Sequence, residues 1–219
     1  MSGAFNGWTE QAFEVLLRLE GDPPPEVRES LRKERELHVR QPMIALLNTV
    51  ADAVPALDDF SVWGFHKESR WWRHQGAVIR IARQVEIGLR FDLDGLHLKA
   101  GWHYPDPVQV PRYRAAVAAE SSGARLADLV GTLQTRGYEV TGDLMKRMPR
   151  GLPADHPRAC LLRHRSLLAA RPLAGDDVAL TLATVDRVLE AAHELTPLLS
   201  WLGRHVAATA RTPPPHVRR

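Results

Sequence analysis

Cysteine is nearly absent from this 219-residue chain: Cys160 stands alone, so no intramolecular disulfide can form. That excludes the small disulfide-stapled scaffolds of oxidising compartments. Long apolar runs are missing too. None reaches the roughly 18–20 residues that span a bilayer, and the start, Met1 to Asn6, lacks the basic region and apolar stretch of a signal peptide. These two gaps lead to the expectation of a soluble cytoplasmic protein without membrane contact. No P-loop, dinucleotide fingerprint or GxSxG elbow occurs, and no carboxylates are paired for acid–base work. Ten histidines are present, yet no HxxxH pair or Cys–His spacing supports a metal site. The pattern therefore gives no metal site and no cofactor.

What is present is an ordinary core composition, 44% hydrophobic, and an uneven distribution of charge. The whole chain carries only +3. Between His66 and Arg83, however, Lys67, Arg70, Arg73, Arg80 and Arg83 stand against Glu68 alone. Between Gly142 and Arg165, Lys146, Arg147, Arg150, Arg158, Arg163 and Arg165 stand against Asp143 and Asp155. Each segment outweighs the net charge of the entire chain. Two such segments brought together attract anions; kept apart, they are two solvated surfaces.

Periodicity gives the fold class. Phe13, Leu16 and Leu17 predict a helix over about 9–19, which Gly21-Asp22-Pro23-Pro24-Pro25 breaks. A second helical region covers about 26–54, with Pro42 set to kink or split it. The period then changes to two. Ile87, Leu89, Phe91 and Leu93 alternate with polar residues, as do Leu96, Leu98, Ala100 and Trp102, and Asp94-Gly95 between them is a hairpin signal. Phe60 to Phe65 and Ala77 to Ala82 are further strand candidates. Helices return after Pro107, with Pro111 in a first turn and Gly137 closing the Leu126–Leu133 helix. Tyr138 to Thr141 and Leu167 to Leu173 add short strands. Asp155 is placed to N-cap a helix through Cys160, which would bury the thiol. A long helix runs through Val185 to Leu202 past Pro197. The prediction is α+β: a central antiparallel sheet with an Asp-Gly hairpin, flanked by N-terminal and C-terminal helices, one domain over 1–206 and a disordered tail over 207–219.

A two-residue loop at Asp94-Gly95 sets Arg90 opposite Lys99, Gly88 opposite Gly101 and Glu86 opposite His103. Like charges facing each other need a carboxylate, a bound anion or water between them. Facing glycines admit a ligand, another backbone or a covering helix. Trp71-Trp72 amid Arg70, Arg73 and His74 makes either a packing layer or a stacking platform for single-stranded nucleic acid. Asp59 is a catalytic candidate without a visible partner. The candidate anion contacts are Lys67, Arg73, Arg90, Lys99, Lys146, Arg147, Arg150 and His156, with His74 and His156 able to move protons near neutral pH. Catalytic residues are not identifiable. Three readings follow: a binder of an anionic small molecule in a cationic pocket, a nucleic-acid-binding module, or a structural or interaction protein without catalysis.

Gly142-Asp143-Leu144-Met145-Lys146-Arg147-Met148-Pro149-Arg150-Gly151 with Asp155-His156-Pro157 resembles the signature G[DE]xLKRxPRGxxxDHP of the family catalogued as domain of unknown function 2461. Leu93-Asp94-Gly95 and Ala100 to Pro107 are similar to that family's hairpin and its exit. Gln41 to Leu47 resembles its kinked second helix, and Phe5 to Leu19 its opening. One segment departs. Where the family carries RDxRFSKDKxPYK, Ser61, Val62 and Gly64 replace the leading Arg-Asp-x-Arg, and Trp71-Trp72 stands at Pro-Tyr; Phe65, Lys67, Glu68 and Arg73 keep the pattern's character. The resemblance implies a divergent member of a family with no assigned reaction. It also places both basic segments in one domain.

Overall fold

The computed structural model describes residues 5–65, 68, 71–179 and 181–207. The expected disordered tail lies outside them from residue 208 on, and so does the candidate Lys67. Six strands form an antiparallel sheet in the order β1-β2-β3-β4-β6-β5, flanked by N-terminal and C-terminal helices, so the α+β expectation holds. The strands are β1 (Phe60–Val62), β2 (Gln75–Ala82), β3 (Val85–Asp92), β4 (Gly95–Trp102), β5 (Glu139–Thr141) and β6 (Leu167–Ala174). Strand β1 pairs antiparallel with β2, Phe60 against Ile79 and Val62 against Ala77. Two compact units are distinguishable. One comprises Met1–Arg80, Ile87–Ala100 and Ala170–Leu195; the other comprises Ile81–Glu86, Gly101–Ala169 and Thr196–Arg219. No helix among the described residues is long and apolar enough to cross a membrane.

In the first unit, α1 (Glu10–Arg18) is followed by α2 (Pro25–Arg35) and α3 (Gln41–Ala53), joined by a π-helical turn over Glu36–Arg40. The turn answers the Pro42 problem. Proline has no N–H to continue the ladder, and here it sits in the first turn of α3, where that donor has no intrahelical duty. Within this turn the Val39 carbonyl accepts from the buried indole of Trp8 at 3.1 Å. Trp8 in turn stacks on Phe91 of β3 at 4.0 Å, with rings only 7° from parallel, and Phe13 meets Phe91 edge-on. Leu16, Met43, Leu46, Leu47, Val50, Ile87 and Leu89 complete this core.

In the second unit, α4 (Gln109–Ala118) packs on α5 (Glu120–Thr135) and on the short α6 (Ala159–Leu162). Gly123 makes the first contact possible. A Cβ there would collide with the Val117 carbonyl and the Arg158 guanidinium, which itself donates to the Val117 and Ala118 carbonyls at the end of α4. Trp102 leans on Tyr113, and its indole donates to Gln109 Oε1 at 2.9 Å. Tyr113 meets Trp201 edge-on. Gly137, at φ +81°, ends α5 as its sequence position suggests. After the four-residue α7 (Asp176–Ala179), the last helix, α8 (Ala183–His205), carries Pro197 within it.

Three local expectations are corrected. Asp155 does not cap α6. The helix starts four residues later, and it is the His156 ring Nδ1 that accepts the Arg158 amide at 3.0 Å. Cys160 is exposed rather than buried, because only four residues are helical there and Leu161 and Leu162 take the inward positions. Asp59 is not without a partner: it lies 3.4 Å from the Arg80 guanidinium.

Candidate functional site

The hairpin turns one residue earlier than Asp94-Gly95. Strand β3 ends at Asp92 and β4 begins at Gly95, so Leu93 and Asp94 form the turn and Gly95 takes φ +97°. A two-residue loop leaves no freedom of register. Arg90 therefore comes opposite His97, and Gly88 opposite Lys99; a Cβ on Gly88 would lie 3.3 Å from the Lys99 carbonyl. The His103 amide donates to the Gln84 carbonyl at 2.9 Å, two positions from the expected Glu86. The Arg90/Lys99 repulsion consequently does not arise. The charge on Arg90 is met from its own strand, by Asp92 Oδ2 at 2.7 Å from Nε. The facing-glycine gap closes as well: Gly101 sits where a Cβ would run into the Leu167 carbonyl of the neighbouring strand β6.

Beside this turn the first unit carries a cleft of about 600 Å³, lined by Glu20, Trp71, Arg73, His74, Arg90, Asp92, Leu93 and Asp94. Arg73 and Arg90 are thus brought together, as the charge pattern suggests, but in company. Glu20 lies 3.2 Å from Arg73 Nη1, and Asp92 holds Arg90. Three carboxylates face two guanidinium groups, so the lining is a mixed field rather than a cationic one. His74 is neutral at pH 7. Burial foremost, then the Arg90 charge, push its imidazole down from 6.5 to about 4. Its ring and the Trp71 ring lie 5.6 Å apart, and Trp63 meets Trp71 edge-on at 5.5 Å.

The loop that delivers Trp71 and His74 is held from beneath by Arg35. This side chain is 2% exposed and, among the described residues, has no carboxylate partner. Its Nε donates to the Trp72 carbonyl at 3.0 Å, and its Nη2 donates to the Trp71 and His74 carbonyls at 3.3 and 2.7 Å. Burial lowers its pKa to about 10, which still leaves it charged. Phe65 and Trp72 cover the guanidinium, and Arg32 stacks over Phe65 at 4.5 Å. Trp72 is buried in this layer. Of the expected aromatic platform, only Trp71 reaches the cleft.

The remaining candidates do not line this cleft. Lys99 is exposed on β4. Lys146, Arg147 and Arg150 are exposed in the second unit, on the loop between the Leu144–His164 bridge and α6. His156 is half-buried there and serves as the acceptor before α6. Around that loop the family-like residues build structure. Gly142, at φ +146°, sits against the Ser166 carbonyl, and Asp143 pairs with Arg165 at 2.8 Å.

Asp92, Asp94, Glu20 and Arg35 are the cleft-forming groups that the sequence pattern does not flag. Glu20 lies far along the chain from the hairpin and carries no local signal. Asp92 and Asp94 were legible only as turn residues. Arg35 sits in a run of charges, Arg32-Lys33-Glu34-Arg35-Glu36, where only its i+4 relation to the buried Leu31 and Val39 marks it as inward.

A family model described as a conserved hypothetical protein (DUF2461) matches residues 64–201, more than half of the chain. No curated protein and no solved structure matches it.

Proposed function

The chain belongs to the DUF2461 family, a family of unknown function, and from its geometry we propose that it binds a small anionic molecule in the cleft beside the hairpin turn. The observation that carries this reading is the convergence of Arg73 and Arg90 on one cleft with donors to spare. Arg90 uses Nε on Asp92, and Arg73 uses Nη1 on Glu20. Each guanidinium has five N–H groups, so both retain a free edge for a carboxylate or phosphate. Their side chains are 59% and 42% exposed, which makes these ion pairs weak, about 0–1 kcal/mol, and open to exchange for a ligand. Trp71 supplies a flat apolar wall, and neutral His74 can accept or donate one hydrogen bond. The carboxylates of Glu20, Asp92 and Asp94 favour a ligand with one compact anionic group and hydrogen-bond donors over a polyanion.

The test is a thermal-shift and calorimetric titration of the full chain with inorganic phosphate and with small carboxylates. A saturable stabilisation that Arg90→Ala and Arg73→Ala both abolish supports the reading. No saturable effect, or one that both variants retain, overturns it. A single-stranded oligonucleotide in the same assay tests the nucleic-acid alternative, since phosphate contacts would make its affinity fall steeply with salt.

A further inference from the structure

We propose that Asp92, Asp94 and His97 form a binding site for a divalent transition metal such as zinc or manganese, at the turn end of the hairpin. Each residue offers one ligand atom, and these atoms lie within 4.8 Å of one another. The inference stands on the hairpin alone and does not depend on the anion reading, although Asp92 and Asp94 also line the cleft.

His97 supplies the observation that points to an ion. Its Nε2 is shut off from solvent and has no hydrogen-bond partner, yet it lies 3.4 Å from Asp92 Oδ1. A ring N–H there does not aim at the carboxylate; a ring lone pair there confronts one. Either arrangement leaves a buried nitrogen unsatisfied, which is costly. A cation between the two atoms satisfies both. The spacing suits one: ligand atoms about 2.0–2.1 Å from a tetrahedral zinc stand about 3.4 Å apart.

The surroundings hold the ligands in place. Arg90 Nε engages the other oxygen of Asp92 at 2.7 Å, fixing the carboxylate as an outer-shell partner does and leaving Oδ1 turned toward His97. The Asp94 amide donates to Asp92 Oδ1 at 3.0 Å, which draws the turn around the same oxygen. Asp92 is buried and the Asp94 carboxylate is exposed, so one ligand is fixed and one can swing in. A nitrogen with two carboxylate oxygens suits zinc or manganese better than calcium, which prefers oxygen alone. Three protein ligands leave a further coordination position open, as catalytic sites have and structural sites lack.

Metal-stripped full-length protein, titrated with zinc chloride and then manganese chloride in phosphate-free, non-chelating buffer, tests the proposal. One metal per chain is expected. His97→Gln and Asp94→Asn should each weaken binding about tenfold or more, while His156→Gln, in the second unit, binds as the wild type does. Absence of binding to either metal overturns the proposal. So does wild-type affinity in both His97→Gln and Asp94→Asn, which would put the ion on other histidines. Asp94 is an exposed turn residue, so its variant remains informative if His97→Gln misfolds. A phosphate titration of chelator-treated wild type, run alongside, reports on the anion reading separately, so that either idea can fail alone.

Discussion

The Nη2 of Arg35, in the last turn of α2, donates to the carbonyl of His74 at 2.7 Å across the interior of the first unit. This bond ties a helix to the loop that presents His74 and Trp71 to the cleft. Because Nε takes the Trp72 carbonyl and the same Nη2 takes that of Trp71, three carbonyls of the loop depend on one side chain, while Nη1 has no partner among the described residues. Arg35→Met fills a similar space but removes the guanidinium donors from three carbonyls. A loss of about 3 kcal/mol is expected, at about 1 kcal/mol or more for each hydrogen bond removed. For a chain of this size that is a fall of roughly 6–12 °C in melting temperature. Arg35→Lys should recover only part of it, since an ammonium cannot fork to three carbonyls. Differential scanning calorimetry of the two variants checks both statements.

The His74 imidazole yields a pH prediction with a definite sign. Its folded pKa, about 4, lies below the ordinary 6.5. Between those values the unfolded chain binds a proton that the folded chain refuses, so stability is full above pH 6.5 and is lost as pH falls toward 4. Partial exposure of the ring limits the effect to about 1–2 kcal/mol. His74→Gln should flatten the melting-temperature profile in that window and leave it unchanged above pH 7. An NMR titration in which the His74 ring shifts with a midpoint near 6.5 would contradict the environment described above.

Much of this fold is legible in the sequence, and the reasons are local. The alternation Ile87-Leu89-Phe91 fixes a strand face, Gly137 marks a helix end, and Pro42 announces a disruption, which takes the form of a π turn whose Val39 carbonyl accepts from Trp8. The dipeptide marks the hairpin's place but not its register. Asp94-Gly95 has the favoured dipeptide for a two-residue turn, yet Asp92 Oδ1 accepts the Asp94 amide and draws the turn one residue back. That single step moved Lys99 away from Arg90 and put His97 there. The cleft was half legible. Its arginines stand out as charge, whereas Glu20 and Arg35 act through contacts separated by dozens of residues, which no local pattern encodes.

Two glycines in the second unit separate backbone strain from helix propensity. Gly101 and Gly142 have φ of +145° and +146°, and a Cβ at either would strike the carbonyl of a neighbouring segment, Leu167 or Ser166. Alanine at either position meets an unfavourable backbone region and a rigid obstacle together. A loss of about 3 kcal/mol or more is expected for each. Gly131 lies inside α5 with open space around its Cβ position. Gly131→Ala should therefore stabilise by about 0.5–1 kcal/mol. Urea denaturation of the three variants gives the comparison, and equal destabilisation of all three would contradict it.

Trp8 gives the last prediction, because it serves two elements at once. Its ring stacks on Phe91 and its indole N–H satisfies Val39 in the π turn. Trp8→Phe keeps an aromatic face against Phe91 but removes the indole donor from the Val39 carbonyl, at a cost of about 0.5–1.5 kcal/mol. Trp8→Leu loses the stacking as well, a further ~0.5–1.5 kcal/mol before any cavity is counted. If the π turn exists because Pro42 interrupts the ladder, Pro42→Ala should supply an N–H to the His38 carbonyl, let the helix regain regular α bonding and shift the Val39 carbonyl that Trp8 reaches. Trp8→Phe would then cost less in a Pro42→Ala background than alone. A double-mutant cycle on Trp8 and Pro42 measures that coupling directly, and strict additivity would separate the π turn from the proline.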